Sequence, residues 1–182
     1  MFRKLIAASV LIASLSSAST TFAQGAVQAV RGAASGLQQA AEDSQKPLTA
    51  GPEDTTEKTA PGKIDQSLPR EFKTTDSGLK YRILRKTDGR KPNAADKVEV
   101  HYKGWLDNKK IFDSSYRRGE TIEFGLNQVI KGWTEGVQLI GEGEMIELDI
   151  PATLGYGARG TPGGPIPPNA QLHFIVELIK VK

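Results

Sequence analysis

The 182-residue sequence contains no cysteine, which removes disulfide staples, thiol nucleophiles, cysteine-ligated zinc and a lipid-anchored cysteine from consideration. Imidazoles are almost as scarce. His101 and His173 are the only two, both lie in strand-like stretches, and no further ligands stand around them at metal-binding spacing, so no metal site is expected. No run of five like charges occurs, no basic stripe is interleaved with aromatics, and the net charge is only +3; nucleic acid and anionic membrane surfaces are therefore poor partners. Also missing are the G-x-S-x-G elbow of hydrolases and the Walker and dinucleotide glycine patterns. The glycines at 155, 157, 160, 163 and 164 are spaced for a loop, with no lysine-serine pair to meet a phosphate. Ser114 and Ser115 follow Asp113, yet no local motif brings either histidine to activate them. No cofactor is expected.

What is present divides the chain into three parts. Residues 1–23 carry a basic start at Arg3 and Lys4, an apolar run from Leu5 to Leu15 and a small-residue exit at Thr21-Phe22-Ala23. That run is about half of the roughly 20 residues needed to cross a bilayer, so a signal peptide cleaved after Ala23 is expected, with a periplasmic or secreted mature protein and no lasting membrane anchor. Residues 24–70 turn to Ala, Gly, Gln, Thr, Pro and mixed charge, a composition that buries too little apolar surface to offset the entropy of ordering it. A flexible lead segment and linker are expected there. Val27, Val30, Ala34, Leu37 and Ala41 make one narrow helical stripe, but Gly25, Gly32 and Gly36 weaken it. A monomer is expected, with a weak dimer through this stripe as the alternative.

From residue 71 to 182 the texture is that of a folded domain. Leu79, Tyr81 and Ile83, then Val98, Val100 and Tyr102, then Leu172, Phe174, Val176 and Leu178 alternate with mostly polar residues, each set marking a strand with one buried face. Met145–Ile150 and Thr121–Phe124 are shorter candidates. Val129, Ile130, Trp133, Val137 and Ile140 recur at helical spacing, and Gly132 and Gly136 would let that short helix lie close against a sheet. One short helix on an antiparallel sheet is an α+β layout.

Five separated segments carry a more specific signal: Val-His-Tyr-Lys-Gly at 100–104, Ile-Phe-Asp-Ser-Ser at 111–115, Gln-Val-Ile-Lys-Gly-Trp at 128–133, Leu-Gly-Tyr-Gly at 154–157 and Pro-Ile-Pro-Pro-Asn-Ala at 165–170. In this order they resemble the FKBP-type peptidyl-prolyl cis/trans isomerases, and the likeness runs from about Ser77 to Lys182. The resemblance implies a twisted antiparallel sheet of five to six strands wrapped around the short helix, with a shallow pocket between them. It implies that Trp133 forms the pocket floor, that Tyr102, Phe112 and Phe174 form its walls, and that Asp113 borders it. The Tyr156 hydroxyl and the Ile130 N–H would donate to substrate carbonyls, and Phe124, Val129 and Ile166 would complete the substrate-binding surface. Proline-containing polypeptides are the implied substrates, and the macrolide inhibitors of the family would occupy the same pocket.

Such a residue set suits a reaction that needs neither nucleophile nor proton shuttle, because rotation about an X-Pro bond has only to overcome amide resonance. Two other readings stand beside it: a proline-binding chaperone or assembly module that has lost turnover, and a surface protein whose lead segment makes the biological contact. Three local departures from the family pattern also stand out. Ile122 occupies a position where a large aromatic is common, which leaves one wall more open, the loop from Ala158 to Pro167 is one residue longer than in the shortest members, and the turn at Asp107-Asn108-Lys109 lacks its usual glycine, although asparagine tolerates the left-handed conformation.

Overall fold

A computed structural model describes residues 46–182. The expected signal peptide and its cleavage site and the stripe from Val27 to Ala41 lie outside the described residues. In chain order the elements are β1 (Lys73–Thr74), β2 (Lys80–Arg85), β3 (Lys97–Leu106), β4 (Ile111–Ser114), α1 (Ser115–Arg118), β5 (Ile122–Gly125), α2 (Lys131–Val137), β6 (Met145–Ile150) and β7 (Leu172–Val181). The α+β layout expected from the sequence is the one found.

Two ten-residue strands organise the sheet. β3 and β7 pair antiparallel from Val98↔Val181 to Leu106↔Leu172, and the remaining strands extend outward in the order β1-β2-β6-β7-β3-β4. The outer edge of β3 is shared: its second half pairs with β4 and its first half with β5. That division and the two-residue β1 bring the sheet to seven strands, where five to six were expected.

The inner face is apolar and continuous. Val98, Val100, Ile146, Leu148, Ile150, Val176 and Leu178 are all fully buried, and α2 packs onto them. Each such side chain contributes about 1.5–3 kcal/mol through removal from water. α2 is only seven residues long, so its helicity comes from this packing. Its glycines permit the approach. A Cβ on Gly132 would lie 2.5 Å from Ile150 Cγ2, and one on Gly136 would lie 2.7 Å from Leu148 Cδ2. The helical periodicity read from Val129 to Ile140 overshoots at both ends, because Val129 and Ile130 precede the helix in extended conformation and Ile140 follows it.

The outer face departs from expectation. Residues 47–65, read from the sequence as linker, lie along it as a strap without regular secondary structure and belong to the same unit as the rest of 47–182. Leu48 is buried with Leu84, Trp105, Met145 and Ile175, forming a second, smaller core. Composition misleads here because the strap is ordered by polar partners as much as by apolar burial. Leu48 N–H donates to the Gln66 side chain, Gly62 N–H donates to the Glu177 carboxylate at 2.8 Å, and Lys103 donates to the Pro52 carbonyl at 2.9 Å. Lys103 is 2% exposed and also forms a 2.9 Å ion pair with Glu57. The strap thus supplies the partners that a buried ammonium requires.

The turn from β3 to β4 holds another small correction. Lys109, not Asn108, takes the left-handed conformation, with φ 65°. Asn108 instead accepts the Lys110 N–H through its side chain, closing an Asx turn that holds the neighbouring lysine in place.

Candidate functional site

At the open end of the inner face, side chains from β3, β4, β5, α2, β7 and the 151–171 loop surround a cavity of about 660 Å³. The Trp133 indole is its centre. Tyr102, Phe124 and Phe174 stand nearly perpendicular to it, at ring-centroid distances of 5.3, 5.6 and 5.3 Å, and Phe112 meets Phe174 edge-on at 5.5 Å. Edge-to-face contacts of this kind add about 0.5–1.5 kcal/mol each beyond area burial and fix the rings relative to one another. The buried Trp133 Nε1 has no acceptor among the described residues.

Local backbone features explain why the cup can form. β3 places Tyr102 and Gly104 on the inner face, and Gly104 leaves the room that two rings need: a Cβ there would come within 2.6 Å of Phe174 and 2.7 Å of Phe112. The β3–β4 register slips between Gly104 and Trp105, so that Gly104 faces Asp113 while Trp105 faces Ile111. Phe112 is the extra residue of this bulge. Strict alternation would send Phe112 and Asp113 to opposite faces, whereas the bulge lets both line the cavity.

One wall of the cup is polar. Tyr102 Oη donates to Asp113 Oδ2, Arg118 Nη1 donates to Asp113 Oδ1 at 2.6 Å, and Arg118 Nη2 donates to Tyr102 Oη at 3.0 Å. Burial, together with the hydrogen bond to Asp113, pushes the Tyr102 phenol up to about 12. Burial also works against the Arg118 charge, but the hydrogen bonds to Asp113 and Tyr102 outweigh it and raise this group. Arg118 comes from α1, a single turn capped by Ser114, whose side chain accepts the Arg117 N–H.

The structure brings together Tyr102, Phe112, Asp113, Phe124 and Val129 with Ile130, Trp133, Tyr156 and Phe174. Ile166 is the exception. Expected at the substrate-binding surface, it is 5% exposed and packs into the main core, and it does not line the cavity. Its burial follows from a closed loop: Thr161 N–H donates to the Ile166 carbonyl, the Ile166 N–H donates back to Thr161 Oγ1, and Gly160 above them has no room for a Cβ, which would lie 2.3 Å from the Ile166 oxygen. Arg118 and Gln128 line the cavity without having been assigned to it from sequence, and Ile122, singled out where the family often has an aromatic, lines it as well. Asp113 pairs with Arg118, whereas the adjacent Arg117 turns away to Asp54.

Two exposed or backbone groups complete the rim. Tyr156 is 43% exposed, and no acceptor among the described residues engages its hydroxyl. The Ile130 N–H likewise donates to no backbone carbonyl among them, while its carbonyl accepts from Trp133 and Thr134. His101 is accounted for structurally: it hydrogen-bonds Ser115 Oγ at 2.9 Å and stacks on Tyr116.

The family described as FKBP-type peptidyl-prolyl cis-trans isomerase matches residues 88–179, which is half of the chain. This chain belongs to the FKBP family. A probable FKBP-type isomerase of Haemophilus influenzae is 50% identical over 112 residues, covering 62% of this chain and 46% of that protein. The crystal structure of FkpA from Escherichia coli superposes with a TM-score of 0.60 at 47% identity, covering 63% of this chain and 53% of that one. A peptidyl-prolyl isomerase from Pseudomonas syringae gives a TM-score of 0.58 at 38% identity, covering 63% and 83%. The chain spans less than half the length of the curated relatives it matches first, so the FKBP likeness concerns the domain.

Proposed function

We propose that the protein accelerates cis/trans rotation of X-Pro bonds in exported polypeptides by desolvating them in the aromatic cup. The observation that carries this reading is the Trp133 indole met edge-on by three other rings within one cavity. In the planar amide, resonance places negative charge on the carbonyl oxygen, and water stabilises it. Rotation abolishes that charge separation on the way over a barrier of about 18–20 kcal/mol. An apolar cup that excludes water disfavours the planar form more than the twisted one, which is the differential interaction catalysis needs.

The polar groups hold the substrate in register. Tyr156 Oη and the Ile130 N–H have donors to offer, and fixing one half of the peptide confines motion to the other half. Asp113 is an unsuitable proton acceptor, because both of its oxygens are already engaged by Tyr102 and Arg118. It orients the wall and keeps residual acceptor capacity toward a ligand. Ile122, in place of a larger ring, leaves one side more open, and macrolide inhibitors of the family would fill the same space.

Export rests on residues 1–23; removal after Ala23 would release the protein into the periplasm or the medium. No helix among the described residues is long and apolar enough to cross a membrane.

Catalysis of proline-limited refolding by the intact protein is the test. Acceleration abolished by a macrolide is expected. Macrolide binding without acceleration at micromolar protein would overturn turnover and leave a proline-binding module.

A further inference from the structure

α1 is a four-residue helix between β4 and β5, closed on itself by the Ser114 cap on Arg117 N–H and by the Gly119 N–H to the Ser115 carbonyl. A single helical turn is unstable in isolation, because fixing it costs more entropy than its one or two hydrogen bonds return. Its stability must come from what grips it. On the inner side, Ser115 Oγ accepts the Tyr102 N–H at 2.7 Å, and Arg118 reaches Asp113 and Tyr102. On the outer side the grip is supplied by the strap. The Tyr116 carbonyl accepts from Lys58 N–H at 2.9 Å and Thr59 N–H at 3.3 Å, and Arg117 Nε meets Asp54 Oδ2 at 2.5 Å. The fully buried Tyr116 donates its hydroxyl to Glu177, the same carboxylate that accepts Gly62 N–H.

Asp54 is built for this contact. Its carboxylate is also held by Thr56, through hydroxyl and N–H, and the Thr56 and Arg117 bonds together lower it to about 2. Consecutive residues of one turn therefore point in opposite directions, Arg117 to the strap and Arg118 to the cup. The strap lies entirely before residue 88, where the family match begins.

We propose that strap residues 47–65 are a working part of the isomerase site, with Asp54 and Arg117 as positioning residues that hold α1 so that Arg118 stays on the Tyr102–Asp113 wall. This rests on the isomerase reading for its kinetic consequence, but not for its structural one. Release of Asp54 frays the turn, Arg118 leaves the wall, and Tyr102 and Asp113 lose their shared partner.

The test uses the full chain with Asp54→Asn, which keeps the turn to Thr56 while removing the charge facing Arg117. Isomerisation of a proline peptide should show kcat/KM lowered about threefold or more, with Glu53→Gln, an exposed strap neighbour, unchanged. Combined with Arg118→Lys, the two losses should not add, because both remove the same arrangement. Independently of activity, the Arg118 side-chain Nε–H signal in NMR should shift and exchange faster with water in Asp54→Asn. An unshifted Arg118 signal, or additive losses in the double variant, would overturn the proposal. If the intact protein shows no isomerase activity, the isomerase reading fails while the Arg118 signal still decides whether the strap positions the wall.

Discussion

The two faces of the sheet are built on opposite principles. The inner face is an aromatic and aliphatic surface with a polar cluster, Tyr102, Asp113 and Arg118, at the edge of the cavity. The outer face carries charge pairs across its strands, Arg82–Glu147 at 2.6 Å and Arg85–Glu177 at 2.8 Å, a hydrogen bond between His173 and Asp149 at 2.6 Å, and Lys103–Glu57 reaching into the strap. Apolar burial tolerates small adjustments and leaves room for a ligand. Buried ions do not, because removing one partner strands the other at low dielectric. The inner face is thus suited to binding and the outer face to fixing one arrangement of the chain.

Substitutions on the two faces should fail in different ways. The largest effect is expected from Lys103→Met, which leaves Glu57 and the Pro52 carbonyl without their cation. Urea unfolding should show a loss of about 3–5 kcal/mol. If Lys103→Met unfolds at the same urea concentration as the intact protein, the outer face is not held by its ions.

Phe112→Ala is the inner-face counterpart. Opening the wall beside Phe174 should lower kcat/KM about 10- to 100-fold, the size expected when one large apolar side chain no longer shields the transition state from water, with the fold retained by circular dichroism. A smaller loss than that of Tyr156→Phe would reverse the ranking of wall over hydrogen bond. Tyr156→Phe itself removes one exposed donor and should cost about threefold, with no change in melting temperature.

The smallest effect concerns His173, on the outer face. Its hydrogen bond to Asp149, and then that to Asp107, raise it above the ordinary imidazole value, and it stacks on Trp105 at 5.8 Å. A raised imidazole adds stability that is complete below its unfolded value of about 6.5 and disappears as pH rises through the folded one. The stability gap between intact protein and His173→Gln should therefore be wider at about pH 6 than at about pH 9. A gap that widens with rising pH would contradict the geometry.

The same contrast explains what could be read from the sequence. Inner-face strands announce themselves by alternation, as Val98, Val100 and Tyr102 do, whereas the site residues were implied by the family resemblance of five short motifs, and nine of the ten line the cavity. Ile166 misled because an apolar residue between prolines gives no sign of which way a closed loop turns it. The bulge at Phe112 is equally silent, since register slips depend on the partner strand. The outer face escaped because the strap has no periodicity and its order depends on residues far along the chain. One signal was available: Trp105, Ile175 and Met145 are large apolar residues at positions that alternation assigns to solvent, and all three are buried under or beside the strap. Lys103 and Glu177 gave no such warning, because charged residues on an outward face look ordinary until something covers them.

In the proposed reaction, rotation in the cup proceeds by desolvation, without proton transfer. The most direct measurement is turnover of a proline peptide by the intact protein, followed by NMR exchange in light and heavy water. Desolvation alone gives saturable acceleration with nearly equal rates in the two solvents. A rate slowed about twofold or more in heavy water, the mark of a proton moving in the transition state, or no acceleration at all, would contradict it.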